Sequence, residues 1–405
     1  MYSLAIYLYM LCANVVAFFN PKARKMMRGH REAWRILRQA RGEGRCVWFH
    51  AASLGEFEQG RPLMERLRRE RPDCKILLTF FSPSGYEVRK DYPVADVVCY
   101  LPFDTPLNAR KFVRLARPEA VFFIKYEFWR NYIDVLYHHG IPVYSVSSIF
   151  RDGQIFFRWY GCGYARVLRR ITHLFVQNEH SRELLAGLGV TDVTVVGDTR
   201  FDRVIDVMEA SRPEPRAEAF ARGGGPVLVA GSTWPADEAF LLPYFNSRPG
   251  LKLIIAPHVV SPEHLAAIES ALTRPAVRLS QATDASLAAA QCLIIDGYGL
   301  LSSLYRYATV AYVGGGFGVG IHNVPEAAVY GCPVIIGPNN KKFREAQALL
   351  ANGGCREVDG AEAFARTVDG WLSDPAALRR AGQAAGAYIH DNAGATDAVF
   401  RHCFQ

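Results

Sequence analysis

The 405 residues exceed what one ordinary hydrophobic core organises and fit two domains of roughly 180 residues each. Half of them are hydrophobic and 12% are aromatic, so two sizeable cores can be buried. Nine cysteines scattered singly, without a C-x-x-C pair, argue against a secreted disulfide framework or a zinc module. The net charge of +8 is concentrated in one stretch, which argues against a nucleic-acid binder.

Met1 to Phe19 form an apolar run, and nine basic residues against two acidic ones come next, between Lys22 and Arg45. A signal peptide carries its charges before the apolar run, and Phe18-Phe19-Asn20-Pro21 is a poor cleavage site. The run is therefore expected to anchor the chain, with the positive flank placing the remainder of the chain in the cytoplasm. Its length lies near the lower limit for crossing a bilayer, so spanning or deep insertion is expected. Because Tyr2, Tyr7, Tyr9 and Asn14 interrupt it, a helix lying in the interface or packed on the protein is the alternative. A basic belt beside an apolar run suits anionic headgroups, so membrane phospholipid is an expected partner.

Cys46–His50 predicts a short buried strand, followed by a helix from about Gly55 to Arg71. Strands are then expected at 75–80, 97–100, 120–124, 142–146, 174–177 and 193–196. A second series runs 227–230, 251–256, 293–296, 310–313 and 334–336. Apolar strands alternating with amphipathic stretches mean parallel sheets covered by helices on both faces. Between the series, Pro and Gly in 211–225 spoil both periodicities. The expected organisation is an anchor over 1–21, a domain over 22–210, a linker over 211–225 and a second domain over 226–405. The last helix of that second domain is free to pack back on the first. Ligands of open α/β sheets bind outside the carboxyl ends of the strands, which here would face a cleft between the domains.

Several residues at those strand ends can carry chemistry. In Ala51-Ala52-Ser53-Leu54-Gly55-Glu56-Phe57, Ser53 and Glu56 have the spacing of a capping box, and Glu56 is equally placed to act as a general base. Val313 to Ala328 read as strand, glycine-rich loop and helix start, an arrangement that lets backbone N–H groups approach a phosphate. There Glu326 can accept ribose hydroxyls, or simply complement a helix N-terminus. Ala230-Gly231-Ser232-Thr233-Trp234, Ala256-Pro257-His258 and Lys125-Tyr126-Glu127-Phe128-Trp129 also follow strands. No D-x-D-like metal motif is present in these loops.

Together with Ser82-Pro83-Ser84-Gly85, Tyr100-Leu101-Pro102-Phe103-Asp104, Gly197-Asp198-Thr199-Arg200-Phe201-Asp202 and His322-Asn323-Val324-Pro325-Glu326, these segments carry a resemblance. The chain resembles the 3-deoxy-D-manno-octulosonic acid (Kdo) transferases of lipopolysaccharide synthesis. The resemblance implies a GT-B glycosyltransferase of two doubly wound parallel-sheet domains with a membrane-anchoring helix. It implies Glu56 as catalytic base, Asn323 and Glu326 as holders of CMP, and Pro257, His258 and Gly299 as nucleotide contacts. Ser232 and Gly316 fall on the donor side, and Ser53, Gly55, Ser84 and Glu127 on the acceptor side. Trp234 stands where the family often has His, His258 lacks a preceding Arg-His pair, and Asp296 to Leu300 lack a closing acidic residue.

The expected reaction is transfer of Kdo from CMP-Kdo to the acylated lipid A precursor, with inversion, no metal and no cofactor. Arg200, Lys341 and Lys342 are basic candidates for the sugar carboxylate. Phe156-Phe157-Arg158-Trp159-Tyr160 either extends the membrane contact or packs as an amphipathic helix. A UDP-sugar epimerase of the same fold and a non-catalytic membrane scaffold are the competing classes. A scaffold has no chemical use for Glu56, Asn323 and Glu326 together.

Overall fold

The computed structural model describes residues 2–40 and 45–405; Met1 of the apolar run, and Arg41 and Glu43 of the basic stretch, lie outside the described residues. The chain divides into two units, Met1–Arg203 with Ala393–Gln405, and Val204–Asn392.

The first unit is built on β1 (Cys46–Ala51), β2 (Lys75–Phe80), β3 (Val97–Tyr100), β4 (Pro118–Ile124), β5 (Val143–Ser148), β6 (His173–Val176) and β7 (Val193–Val195). They form one parallel sheet in the order β3-β2-β1-β4-β5-β6-β7. β1 is buried at all six positions, because helices cover both faces and leave no side for polar residues. The chain fills one side of β1 and then restarts at β4 on the other side. The switch point, where a crevice opens at the strand ends, therefore lies between β1 and β4.

The second unit repeats the plan with β8 (Val227–Thr233), β9 (Lys252–Pro257), β10 (Ala276–Arg278), β11 (Cys292–Ile294), β12 (Val310–Val313), β13 (Val334–Ile336) and β14 (Cys355–Glu357). Their order is β10-β11-β9-β8-β12-β13-β14, all parallel, with the switch point between β8 and β12. The edge strands β10 and β14 were not expected from the sequence. Each has three residues and carries charge, so neither shows an apolar run.

Residues 211–225 contain a helix, Pro215–Arg222, whose Ala217 and Phe220 are buried. Glu214 caps it by accepting from Ala217 N at 2.8 Å, and Arg216 donates to Leu279 O at 2.8 Å. This stretch packs as part of the second unit. Helix Ala395–Phe404 belongs to the first unit: its Val399 and Phe400 join the core of Phe49, Phe122 and Phe175, and Phe404 stacks on Phe122 at 5.6 Å.

The apolar run forms α1 (Tyr2–Phe19), long and apolar enough to cross a membrane, and α2 (Pro21–Gln39) turns back after Asn20. α1 is packed on the first unit along one face. Tyr2 OH donates to Asp104 at 2.6 Å, and Ala13 is buried in a cluster with Met27 and Phe103. At its other end Arg24 donates to the carbonyls of Ala17 and Phe18 at 3.1 and 2.8 Å. An 18-residue helix spans about 27 Å. In this arrangement α1 packs against the first unit at Tyr2 and Ala13 and is otherwise largely bare. Leu4, Leu8, Leu11, Val15, Phe18 and Phe19 form an exposed stripe on its outer face. The basic side chains of α2 at 22, 24, 25, 28, 31, 35 and 38 are directed away from the core, while Met27, His30, Ala33 and Leu37 turn inward. The segment 156–160 divides: Phe156 and Phe157 pack against the core, and Trp159 and Tyr160 are exposed.

Asp104 is fully buried and also accepts from the N–H groups of Asn131 and Tyr132, both at 3.0 Å. Burial pushes its carboxyl up to about 6, against the lowering effect of those bonds.

Candidate active site

In the first unit, β1 ends at Ala51, and α3 (Leu54–Glu70) begins after Ser53. Ser53 stands at the N-cap but makes no side-chain cap bond; its hydroxyl donates instead to Glu56 Oε2. The capping box allowed by the spacing is not formed. Glu56 is half-buried, and among the described residues its carboxylate bonds Ser53 alone.

Ala52 O accepts from Phe81 N and Ser82 N at 3.3 and 2.7 Å, which ties this turn to the start of helix Pro83–Arg89. A Cβ on Gly85 would lie 2.3 Å from the Phe80 ring and 3.1 Å from the Ser53 carbonyl carbon, so the glycine permits that close approach. The turn sets exposed Ser84 near Ser53. Gly55 is different: it is exposed, and a Cβ there would meet nothing closer than Ser53 Oγ at 3.8 Å. Gly55→Ala is expected to keep or raise the melting temperature, since Ala favours helix by up to about 1 kcal/mol. It should weaken the acceptor KM if a substrate passes over Gly55; unchanged kinetics would remove Gly55 from the site.

Glu127 follows β4 across the same switch point. Lys125 just before it has φ +69, a left-handed conformation that costs a non-glycine residue about 1–3 kcal/mol and is often kept where function needs it. Glu127 Oε2 accepts from Trp129 Nε1 at 2.6 Å and lies 3.2 Å from His50 Nε2 on β1. The two strands flanking the switch point thus each deliver a carboxylate residue, Glu56 and Glu127. Arg200 is paired with Asp198, Nη2 to Oδ2 at 2.9 Å, and Asp198 also accepts from Gln59 and Gln177.

In the second unit the equivalent position holds Ser232 and the glycine-rich loop. Ser232 has φ +52, at a register shift in β8 between Gly231 and Thr233. The loop's glycines are explained by packing. A Cβ on Gly314 would sit 2.3 Å from Ser232 O, and one on Gly316 would sit 2.6 Å from Gly337 Cα. Gly315 and Gly320 have φ +92 and +134. The N–H groups of Gly314, Gly315, Gly318, Gly320 and His322 are used within the protein, so the loop's phosphate-binding capacity is smaller than the motif suggests. Buried Asp237 organises it, accepting from Gly315 N at 3.0 Å, Trp234 N at 2.9 Å and Tyr312 OH at 2.6 Å.

Asn323 Nδ2 donates to Glu326 Oε1 at 2.7 Å, and Ser302 Oγ donates to Oε2 at 2.8 Å. The helix they open, Pro325–Ala328, is a single turn. Pro257 ends β9, and His258 after it is stacked between Trp234 and His322 at centroid distances of 4.6 and 4.4 Å. Trp234 Nε1 donates to His322 Nε2 at 3.1 Å, so that nitrogen is an acceptor. Burial and the neighbouring His258 hold the His322 ring below the usual histidine range. Gly299 has φ +88 in an exposed loop after β11, and Tyr298 OH of that loop accepts from Val260 N beyond β9. Lys341 and Lys342 are exposed. Among the described residues, no group of three His, Cys, Asp or Glu side chains is placed to hold a metal ion.

The family model of 3-deoxy-D-manno-octulosonic-acid transferases matches residues 26–203, the part that carries Glu56 and Glu127. The 3-deoxy-D-manno-octulosonic acid transferase of Bordetella pertussis is 29% identical over 86% of this chain and 85% of its own. That of Rickettsia prowazekii (strain Madrid E) is 23% identical over 91% and 82%. Both likenesses extend over most of the chain and support the Kdo transferase family. The chain is thus a glycosyltransferase, and its two-sheet GT-B fold is shared with solved structures of low identity. UDP-GlcNAc 2-epimerase from Neisseria meningitidis matches with a TM-score of 0.62 at 14% identity, covering 88% of this chain and 98% of that one. Acinetobacter baumannii MurG matches with a TM-score of 0.56 at 13% identity, covering 89% and 99%.

Sequence reasoning left His50, Trp129 and Asp237 without roles. A histidine ending a wholly apolar strand was the available signal, because a buried imidazole needs partners. Asp237 offered none, since the loop it holds lies 78 residues away.

Proposed function

We propose that this protein moves Kdo from CMP-Kdo to a hydroxyl of the acylated lipid A precursor, inverting the anomeric centre. The observation carrying the reading is Glu56: a half-buried carboxylate beside the switch point, bonded by Ser53 and used by no cap or ion pair among the described residues. It takes the acceptor proton as the hydroxyl attacks, and CMP leaves from the opposite face. Ser53, Gly55, Ser84 and Glu127 are assigned to the acceptor. Ser232, Pro257, His258, Gly299, Gly316, Asn323 and Glu326 are assigned to the donor. Glu127, with Oε2 already bonded by Trp129, serves binding and not covalent attack. The test is incubation with CMP-Kdo and a tetra-acylated lipid A precursor, followed by CMP release and product mass. A folded protein that releases no CMP would overturn the reading.

The donor assignment makes its own prediction. Glu326→Ala removes the carboxylate that Asn323 and Ser302 hold and is expected to weaken CMP binding by about 1.5–3 kcal/mol. Unaltered affinity in calorimetry would remove Glu326 from the nucleotide site.

The bare stripe of α1, with the basic side chains of α2, suits the cytoplasmic face of the inner membrane, the helix lying in the interface with its apolar side in lipid. Deleting residues 1–20 should abolish binding to neutral vesicles and leave a salt-sensitive attachment to anionic ones. It should also lower the melting temperature by several degrees, because Asp104 loses Tyr2 and the Met27–Phe103 cluster is bared. Full retention on neutral vesicles would show that another surface holds the membrane.

A further inference from the structure

The partners of His50 fix where its protons lie. Its ring is fully buried, with Nδ1 at 3.1 Å from Thr79 O and 2.9 Å from Thr79 Oγ1. The Thr79 carbonyl only accepts. Thr79 Oγ1 accepts from Trp48 Nε1 at 2.8 Å and has Phe49 O at 3.3 Å as an acceptor for its own proton. A hydrogen on Nδ1 suits both Thr79 oxygens, whereas a bare Nδ1 would oppose the carbonyl lone pairs. In a neutral imidazole Nε2 would then be bare. Yet Nε2 faces Glu127 Oε2 at 3.2 Å, where two lone pairs would oppose each other. Trp129 Nε1 also brings a proton here, and it lies closer to Glu127, at 2.6 Å, than to His50, at 3.1 Å.

We propose that His50 is the positioning residue for Glu127: one proton lies between His50 Nε2 and Glu127 Oε2 and pins the carboxylate against β1. With Trp129 and His50 both on Oε2, the oxygen left for a substrate is Oε1, which makes no hydrogen bond among the described residues. The network joins β1, β2 and the turn after β4, so it spans the switch point and fixes the carboxylate from behind. This inference rests on the assignment of Glu127 to the acceptor.

Two measurements on the full-length protein test it. The first needs no substrate: nitrogen NMR of histidine-labelled protein, with the His50 signals assigned by their loss in His50→Gln. Neither ring nitrogen should show the shift of a bare imine nitrogen; a bare Nε2 would overturn the shared proton. The second is a cycle of His50→Phe and Glu127→Ala, read as kcat and acceptor KM at unchanged melting temperature. His50→Phe alone should lose on the order of tenfold or more in kcat/KM for the acceptor. His50→Gln, which keeps a donor toward Glu127, should recover most of that loss. In the Glu127→Ala background the His50→Phe change should add little. Fully additive losses would overturn the positioning role. If no form of the protein turns over CMP-Kdo, the functional reading has failed, and the NMR result still decides the proton.

Discussion

Glu56→Gln is expected to lower turnover by about a hundredfold or more, with the melting temperature nearly unchanged. General-base catalysis contributes about 10²–10⁴ in rate, and glutamine keeps size and shape while losing basicity. The structure makes stability a clean control. Ser53 is not capped through Glu56, α3 starts with Phe57 N bonded to Ser53 O at 3.0 Å, and the Glu56 side chain holds nothing else among the described residues. Glutamine retains an oxygen to accept from Ser53. A loss in acceptor KM with kcat intact would make Glu56 a binding residue; near-normal turnover would leave the reaction without its base.

The second large effect is expected at the glycine-rich loop. A Cβ on Gly316 would stand 2.6 Å from Gly337 Cα and 2.7 Å from Gly337 N, against backbone with no flexible side chain to yield. Gly316→Ala must therefore push the ends of β12 and β13 apart, at a cost of about 1–3 kcal/mol or more. The loop bearing Asn323 should shift with them, so CMP affinity should fall at least about tenfold, equivalent to about 1.4 kcal/mol. Gly299→Ala is the comparison: φ is +88, but nothing lies within 4 Å of the added carbon, so strain alone of about 1–2 kcal/mol is expected. Equal melting of the two variants, with the Gly316→Ala CMP affinity unchanged from the parent, would show that the loop tolerates the displacement.

Much of the architecture was written in local sequence. Strands such as Lys75–Phe80 and Val310–Val313 are apolar runs bounded by turn residues, and their alternation with amphipathic stretches dictates parallel sheets. Glu56 and Glu127 were legible because carboxylates closely follow strand ends. The position of α1 was not legible. Nothing in YSLAIYLYM tells that Tyr2 meets an aspartate 102 residues further on, and an apolar run reads the same against lipid or protein. The packing reason for the loop's glycines was not legible, since it comes from Ser232 and Gly337, neighbours only in space. The short edge strands β10 and β14 carry too few apolar residues to be seen.

The return of helix Ala395–Phe404 to the first sheet bears on how the protein is made. Val399 and Phe400 fill a core whose other members, Phe49 and Phe122, leave the ribosome hundreds of residues earlier. The first unit must wait with an open apolar face while the whole second unit is synthesised and folds, so the order of completion inverts the order of translation. During that interval the waiting face is a target for chaperones and for aggregation. A stop codon near residue 394 should therefore yield a protein whose second unit is sound and whose first, bearing Glu56, never closes.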